Sequence, residues 1–226
     1  MKVFERPGPA NTDAVVNIVE EASAKVDYIV VASITGTSAV KVAEKVRDKK
    51  VVCVTCPQGL YWQIKAMDTD VFAEIPELKK KRDEWAEKGL ERVPMNITEE
   101  NRIKLEALGV EIVRGTIPLF GPSFSMRLHL HKTTSMDVMA KTLELISTGT
   151  LVCLESVLMA IDAGIVPEEK LVLACAGTER GLDTAWITRG CASANVFHHS
   201  RGFRFVECLA KPSISLVPKI DIKYLG

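Results

Sequence analysis

The sequence has no excess of charge of either sign and no apolar run long enough to cross a bilayer. Its 226 residues include 29 lysines and arginines against 29 aspartates and glutamates. Balanced charge gives no general attraction to nucleic-acid backbones or to anionic membranes. A membrane span needs roughly 20 apolar residues, and the charged segment Met1-Lys2-Val3-Phe4-Glu5-Arg6 lacks the apolar stretch of a signal peptide. We therefore expect a cytoplasmic protein that binds neither nucleic acid nor membrane.

Disulfide, metal and P-loop signatures are missing too. Six cysteines in a chain without a secretory signal indicate reduced thiols rather than a disulfide framework. Cys53-Val54-Thr55-Cys56 has C-x-x-C spacing, but it ends an apolar run typical of a strand, whereas redox motifs of this kind start a helix. Cys175, Cys191 and His198 have no spacing typical of metal ligands, and no G-x-x-x-x-G-K sequence occurs. We predict no metal site, and the sequence leaves catalytic residues unknown.

What the sequence does contain is an alternation of amphipathic helix patterns with short apolar runs that are typical of buried strands. The helices are predicted to begin near Thr12, Ser38, Thr98, Ser135 and Thr150. The strands are predicted at 27–33, 50–55, 110–113, 171–174, 184–188 and 203–209. This order indicates a parallel sheet, and the tight loop 177–181 makes the strands on either side of it antiparallel.

We therefore predict a single α/β domain over residues 1–226, a three-layer α/β/α fold with a mostly parallel five- to six-stranded sheet and an antiparallel last strand. Residues 57–98 interrupt the alternation and are predicted to form an inserted helical segment. The charged stretch 77–85 predicts a solvated helix, and a lid over a site is the alternative, since long insertions beside a pocket are often mobile. A loop is predicted at 115–125, followed by a short strand in which His129 and His131 alternate.

Ligands of open α/β sheets bind beyond the carboxyl ends of the strands, which points to the loops 33–38, 55–59, 115–123 and 176–184. In the first loop, Gly36 is expected to let the backbone approach a ligand closely. The hydroxyl groups around it and the amides of the new helix favour a phosphate dianion. The alternative is that these Ser and Thr residues only cap a helix.

The motif Ile29-Val30-Val31-Ala32-Ser33-Ile34-Thr35-Gly36-Thr37-Ser38-Ala39, followed by Val51-Val52-Cys53-Val54-Thr55, resembles the C-terminal α/β domain of pyruvate kinase. Residues 160–164, 171–178 and 181–187 resemble that domain's later helix, strand, glycine-bearing loop and antiparallel strand. The sequence is most similar to stand-alone archaeal proteins built from this domain alone. That resemblance implies a three-layer fold with flavin mononucleotide (FMN) as an associated ligand.

Kinase activity does not follow from this resemblance, because pyruvate kinase transfers the phosphoryl group in a separate barrel of about 250 residues. In the full enzymes the corresponding turn and last loop can bind a sugar bisphosphate effector. The expected ligand contacts are Ser33, Ile34, Thr35, Gly36, Thr37, Ser38, Thr55, Pro57, Gly59, Phe120, Gly177, Thr178, Gly181 and Thr184.

A flavin ring also needs an apolar or aromatic wall. The aromatic candidates are Tyr61, Trp62, Phe120, Phe124 and Trp186, and each of them has ordinary packing as its alternative. Arg127 or Arg180 is a candidate partner for the phosphate. Three other functions stay open at this point: a flavin-dependent oxidoreductase, a regulatory sensor of sugar phosphates or nucleotides, and a subunit that binds no ligand. A homo-oligomer is the expected assembly.

Overall fold

Apolar strands and amphipathic helices alternate in the computed structural model, which describes residues 1–67 and 74–214. The strands are β1 (Lys2–Phe4), β2 (Tyr28–Ala32), β3 (Lys50–Thr55), β4 (Tyr61–Gln63), β5 (Arg92–Pro94), β6 (Glu111–Arg114), β7 (Leu171–Ala176), β8 (Thr184–Arg189) and β9 (Arg204–Pro212). The helices are α1 (Thr12–Ala22), α2 (Thr37–Lys45), α3 (Pro76–Glu87), α4 (Glu99–Ala107), α5 (Gly121–Leu130), α6 (Ser135–Glu144) and α7 (Thr148–Asp162). Within this part of the chain, no helix combines the length and apolar character that a membrane span needs.

The main sheet has the strand order β1-β9-β8-β7-β2-β3-β6. All its neighbouring strands are parallel except at β8, which is antiparallel to both β7 and β9. The predicted three-layer fold, with its mostly parallel sheet and its antiparallel turn at 177–181, is therefore confirmed. The described sheet has seven strands rather than five to six. The additional strand β1 spans three residues, too few to show a periodic pattern, and it forms by pairing with β9.

Two hydrophobic cores lie on opposite faces of this sheet because successive side chains of a strand point to opposite sides. Ile29 and Val31 of β2 pack into the core under α1, α2 and α4. Val30 packs into the other core, with Leu154 and Leu158 of α7. Burying one such side chain stabilises the fold by roughly 1.5 to 3 kcal/mol. The continuous apolar runs of the strands reflect coverage on both faces.

Helix starts follow local capping chemistry. Thr98 caps α4 as predicted, its side chain accepting a hydrogen bond from the Asn101 amide. Thr134 caps α6 in a capping box with Asp137, and Ser147 caps α7. The predicted start of α6 at Ser135 is confirmed, although Thr134 and not Ser135 is its cap. The predicted start of α7 at Thr150 was two residues late, because the first turn precedes the apolar positions that marked the helix.

The prediction of a loop through Ser125 and a strand around His129 was wrong. Residues Gly121–Leu130 form α5, with Pro122 in its first turn, where proline is tolerated. His131 ends the helix in the left-handed conformation, with a φ of 51°. The alternation of two histidines was a period-two pattern too short to identify a strand.

The inserted segment contains more than a helix. Strands β4 and β5 pair antiparallel, and α3 packs against them. Trp62, Leu78 and Trp85 form a small third core, and Ile34 of the 33–38 turn packs on it. The predicted helix over the charged stretch is therefore present, and it buries Leu78 and Trp85 while its other residues are exposed or half-buried. The lid stays a prediction.

Candidate functional site

Two cavities with a common wall lie beyond the carboxyl ends of β2, β3 and β7, the edge at which open α/β sheets bind ligands. We call the first, of about 280 Å³, the polar cleft and the second, of about 410 Å³, the apolar cavity. The residues that line both are Ala32, Ile34, Val152, Gly177 and Glu179. Together the two cavities fall within the roughly 300 to 1,000 Å³ typical of small-molecule sites.

The polar cleft is built on the turn between β2 and α2. Its lining includes the hydroxyl-bearing residues Ser33, Thr35, Thr37 and Ser38. Among the described residues, no side chain caps the start of α2, whose N-cap is Gly36. The first amides of a helix have no partner within the helix, and they carry the positive end of its dipole. This end of α2 therefore presents hydrogen-bond donors and positive potential to the cleft.

Gly36 packs closely against a neighbouring helix, and its predicted close approach to a ligand stays a prediction. Its φ is +86°, a conformation that favours glycine. An added Cβ would lie 2.9 Å from the Cβ of Asn101 and 3.1 Å from Cγ2 of Ile97. The Asn101 side chain also donates to the Thr35 carbonyl oxygen at 2.8 Å and to Thr37 Oγ1 at 3.0 Å. Gly36 therefore lets the turn pack against the start of α4. The space into which a side chain at position 36 would extend is occupied by Asn101 and Ile97.

Two cations line the polar cleft. Lys41 lies one turn into α2, and its Nζ is 2.6 Å from Asp13 in an exposed ion pair. The guanidinium of Arg180 stacks over the rings of Trp62 and Trp85, at 5.3 and 5.7 Å from their centroids. Burial lowers the pKa of Arg180, but a guanidinium remains charged at neutral pH. The inserted segment thus holds one of the two cationic groups of the cleft in place.

Asp183 holds the loop between β7 and β8. Its carboxyl is fully buried and accepts hydrogen bonds from the Gly8 amide at 2.9 Å, the Thr178 amide at 3.0 Å and the Thr184 hydroxyl at 2.8 Å. Burial raises the pKa of Asp183, and these hydrogen bonds act in the opposite direction. The three donors tie the loop to the N-terminal segment, so this loop forms a rigid wall of the cleft.

The apolar cavity lies on the α7 side of the same edge. Its apolar lining includes Ile117, Leu119, Phe120, Leu151 and Met159. Glu155 of α7 lies among them and is only 7% exposed. Its Oε1 accepts a hydrogen bond from the Leu119 amide at 3.2 Å. Burial raises the pKa of Glu155 to about 8, the Leu119 bond lowers it, and the Glu144 carboxylate adds a smaller upward effect.

The other ionisable groups of the apolar cavity are paired or hard to ionise. Lys141 contacts Glu144 at 2.5 Å, and Arg127 forms an ion pair with Asp137. Burial raises the pKa of the Cys56 thiol to about 11, with Glu179 adding to the effect. A thiol with such a pKa is a poor nucleophile at neutral pH. Perturbed carboxyl groups in a cavity are typical of functional sites, and Glu155 is the clearest case here.

Most of the predicted ligand contacts lie at these two cavities. The polar cleft is lined by Ser33, Ile34, Thr35, Thr37, Ser38, Gly177 and Gly181, and the apolar cavity by Ile34, Thr55, Phe120 and Gly177. The predicted contacts outside both linings are Gly36, Pro57, Gly59, Thr178 and Thr184. Thr178 and Thr184 are almost wholly buried and support the Asp183 loop.

The aromatic candidates divide between the cavity and the core. Phe120 lines the apolar cavity and stacks on Phe124 at 4.2 Å. Trp186 instead donates to Thr150 Oγ1 at 3.0 Å and packs edge-on against Phe205. Trp62 belongs to the small third core. Ordinary packing was therefore the right interpretation for both tryptophans.

Sequence reasoning missed Lys41, Glu155 and Glu179, all of which line the cavities. The signal for Glu155 was present, since it is the only charged residue in the apolar run Leu151–Ile161. Lys41 could have been found by its position four residues after Thr37, on the same side of a helix. Nothing in the sequence marks Glu179, whose φ of 60° follows from the tight loop.

Comparison of the sequence with protein-family models gives no match.

Proposed function

We propose that this protein binds a phosphorylated small molecule whose phosphate group occupies the polar cleft, and that FMN is the first candidate. The observation that carries this proposal is the uncapped start of α2 in a cleft that also contains Lys41 and Arg180. Amide donors, a helix dipole and two cations all favour a dianion. Hydroxyl groups of the same turn add further donors.

The adjoining apolar cavity supports FMN over a smaller phosphate ester. A flavin ring requires an apolar wall and a few polar partners. The cavity supplies Phe120 and aliphatic side chains, and it shares Ile34 and Gly177 with the cleft. One ligand can therefore place its phosphate in the cleft and its ring in the cavity. The resemblance to FMN-associated archaeal proteins agrees with this assignment.

The test is titration of the purified protein with FMN, followed by flavin fluorescence. Thr37 is exposed at the first position of α2, and its hydroxyl accepts a hydrogen bond from Asn101. A Thr37→Asp variant keeps an acceptor there and suits a helix start, yet it repels a phosphate dianion. Thr37→Asn is the neutral control of similar size. We expect the aspartate variant alone to lose FMN affinity, and equal affinities would overturn the proposal.

A sensor of sugar phosphates is the second candidate, favoured by the polar cleft itself. This cleft, of about 280 Å³, can take a sugar phosphate without using the apolar cavity. Competition between FMN and a sugar bisphosphate separates the two functions. If the bisphosphate displaces FMN at micromolar concentration, the sensor is favoured. If only flavins compete, the FMN assignment holds.

A further inference from the structure

We propose that the apolar cavity binds a neutral ring bearing a carbonyl or similar acceptor, and that the carboxyl of Glu155 donates a hydrogen bond to this acceptor. The inference rests on the proposed function, since it assigns a partner to the part of the same ligand that is not phosphate. It makes Glu155 the group that selects the ligand by its hydrogen-bonding pattern.

The first support is the position of Glu155. It lies midway along α7 with its side chain in the cavity lining, and it is only 7% exposed. Among residues 1–67 and 74–214, the only hydrogen bond to this carboxyl comes from the Leu119 amide, on Oε1. The second oxygen has no such partner in the described chain. A polar group buried in this way favours any ligand that completes its hydrogen bonds.

A second polar atom in the cavity lacks a partner as well. The hydroxyl oxygen of Thr148, at the start of α7, is buried and makes no hydrogen bond within the described residues. Thr148 lines the same cavity as Glu155. Buried polar atoms are almost always paired in native structures, so an unpaired hydroxyl on a residue of the lining, near a carboxyl with a single hydrogen bond in the described chain, points to a bound molecule with polar atoms.

The charges facing Glu155 exclude an anionic ligand part. From α6, Lys141 is paired with Glu144; from α5, Arg127 is paired with Asp137. The remaining ionisable groups in the lining are Cys56, after β3, and Glu179, after β7. An anion in this cavity would find no cation among the described residues of its lining that is not already paired with a carboxylate. A neutral ring needs no such partner.

The protonation of Glu155 decides which partner it seeks. Burial raises its pKa to about 8, so the carboxyl is mostly protonated at pH 7 and has an O–H to donate. A neutral carboxyl that donates a hydrogen bond selects an acceptor atom on the ligand. An ionised carboxylate would select a donor instead. The cavity therefore discriminates between ligands by pH as well as by shape.

The experiment uses lumiflavin, the flavin ring system without the ribityl phosphate chain, as the probe of the cavity. Its binding to the full-length protein is followed by fluorescence at pH 6.5 and pH 9. We compare the wild type with Glu155→Gln, which keeps a donor but does not titrate, and with Glu155→Met, which has none. Thermal unfolding at pH 6.5 verifies that each variant is folded.

We expect wild-type affinity for lumiflavin to fall about tenfold between pH 6.5 and pH 9, as a group with a pKa of about 8 loses its proton. Glu155→Gln should bind equally at both pH values, and Glu155→Met should bind at least tenfold more weakly at pH 6.5. Undetectable wild-type binding, or the same pH dependence in Glu155→Gln, would overturn the inference. If Glu155→Met does not fold, the glutamine variant alone decides.

A parallel titration with inorganic phosphate separates this inference from the proposed function. Loss of phosphate binding in Thr37→Asp, with lumiflavin binding unchanged, supports both assignments. Absence of phosphate binding in the wild type would defeat the polar cleft and leave the Glu155 result to stand by itself. Phosphate binding by the wild type without any lumiflavin binding would confine the ligand to the cleft and remove the role of Glu155.

Discussion

The polar cleft and the apolar cavity share a wall but have opposite electrostatic character. In the cleft, an uncapped helix start lies beside Arg180 and beside Lys41, whose pair with Asp13 is exposed to solvent. In the cavity, each cation is already paired, and a buried carboxyl is held largely neutral. The difference arises because the cleft lies where a helix begins, whereas the cavity lies against the middle of α7. One edge of the sheet can therefore bind both ends of an amphipathic ligand.

The wall between the two regions depends on the loop 177–183. Removing the hydrogen bonds that hold this loop should therefore cause the largest loss of stability. Replacing Asp183 with Ala leaves the buried amides of Gly8 and Thr178 without this acceptor, whereas the Thr184 hydroxyl still lies 3.1 Å from that of Ser147. At roughly 1 to 3 kcal/mol for each unsatisfied group, we expect a loss of about 4 kcal/mol in the free energy of unfolding. Urea denaturation measures this loss, and Asp13→Ala, which removes an exposed carboxylate, is the control. A loss below about 1 kcal/mol would contradict the assigned role.

The neutral carboxyl of the cavity should make stability depend on pH. Glu155 has a pKa raised from 4.5 to about 8, so its contribution is fully present below pH 4.5 and is lost as pH rises through 8. Between pH 5 and pH 8, the wild type should lose about 3 kcal/mol relative to Glu155→Gln. Urea denaturation of both proteins across this pH range tests the direction of the change. If their free energies of unfolding depend on pH in the same way, the pKa of Glu155 is not raised.

Because the turn packs against α4, substitution of Gly36 by alanine should destabilise the protein more than the same substitution at an unpacked glycine. Both Gly36 and Gly59 have positive φ, at +86° and +90°, but a Cβ on Gly59 would meet no atom of the described residues within 4 Å. Gly59→Ala should therefore cost about 1 kcal/mol from backbone strain alone. Gly36→Ala adds the clash with Asn101, and we expect about 2 kcal/mol in total. Equal losses in urea denaturation would show that the turn accommodates a side chain.

The smallest expected effect is on the affinity of the polar cleft for the phosphate group of FMN. Thr37→Asp should weaken FMN binding about tenfold relative to Thr37→Asn, or about 1.4 kcal/mol. Its effect on lumiflavin should be negligible, because that probe carries no phosphate. A loss of affinity for both probes would show that the cleft and the cavity are not electrostatically separate.

Local patterns in the sequence predicted the elements that depend on local chemistry. The strand Lys50–Thr55 and the helix starting at Thr98 agree with the structure at their boundaries. The α5 helix was missed because its glycine, proline and serine residues resemble a loop. Strand β1 was missed because its stability comes from pairing with β9, some 200 residues away in the chain.

The sequence by itself determined the layered α/β fold, because the periodicity of apolar residues specifies which face of each element is buried. It also indicated the turn at 33–38 as the start of a helix. Only the tertiary structure decided that Gly36 packs against α4, that Thr184 supports a loop and that Glu155 lies in a cavity. These roles depend on contacts between residues distant in sequence, and a local pattern carries no information about what a side chain will meet.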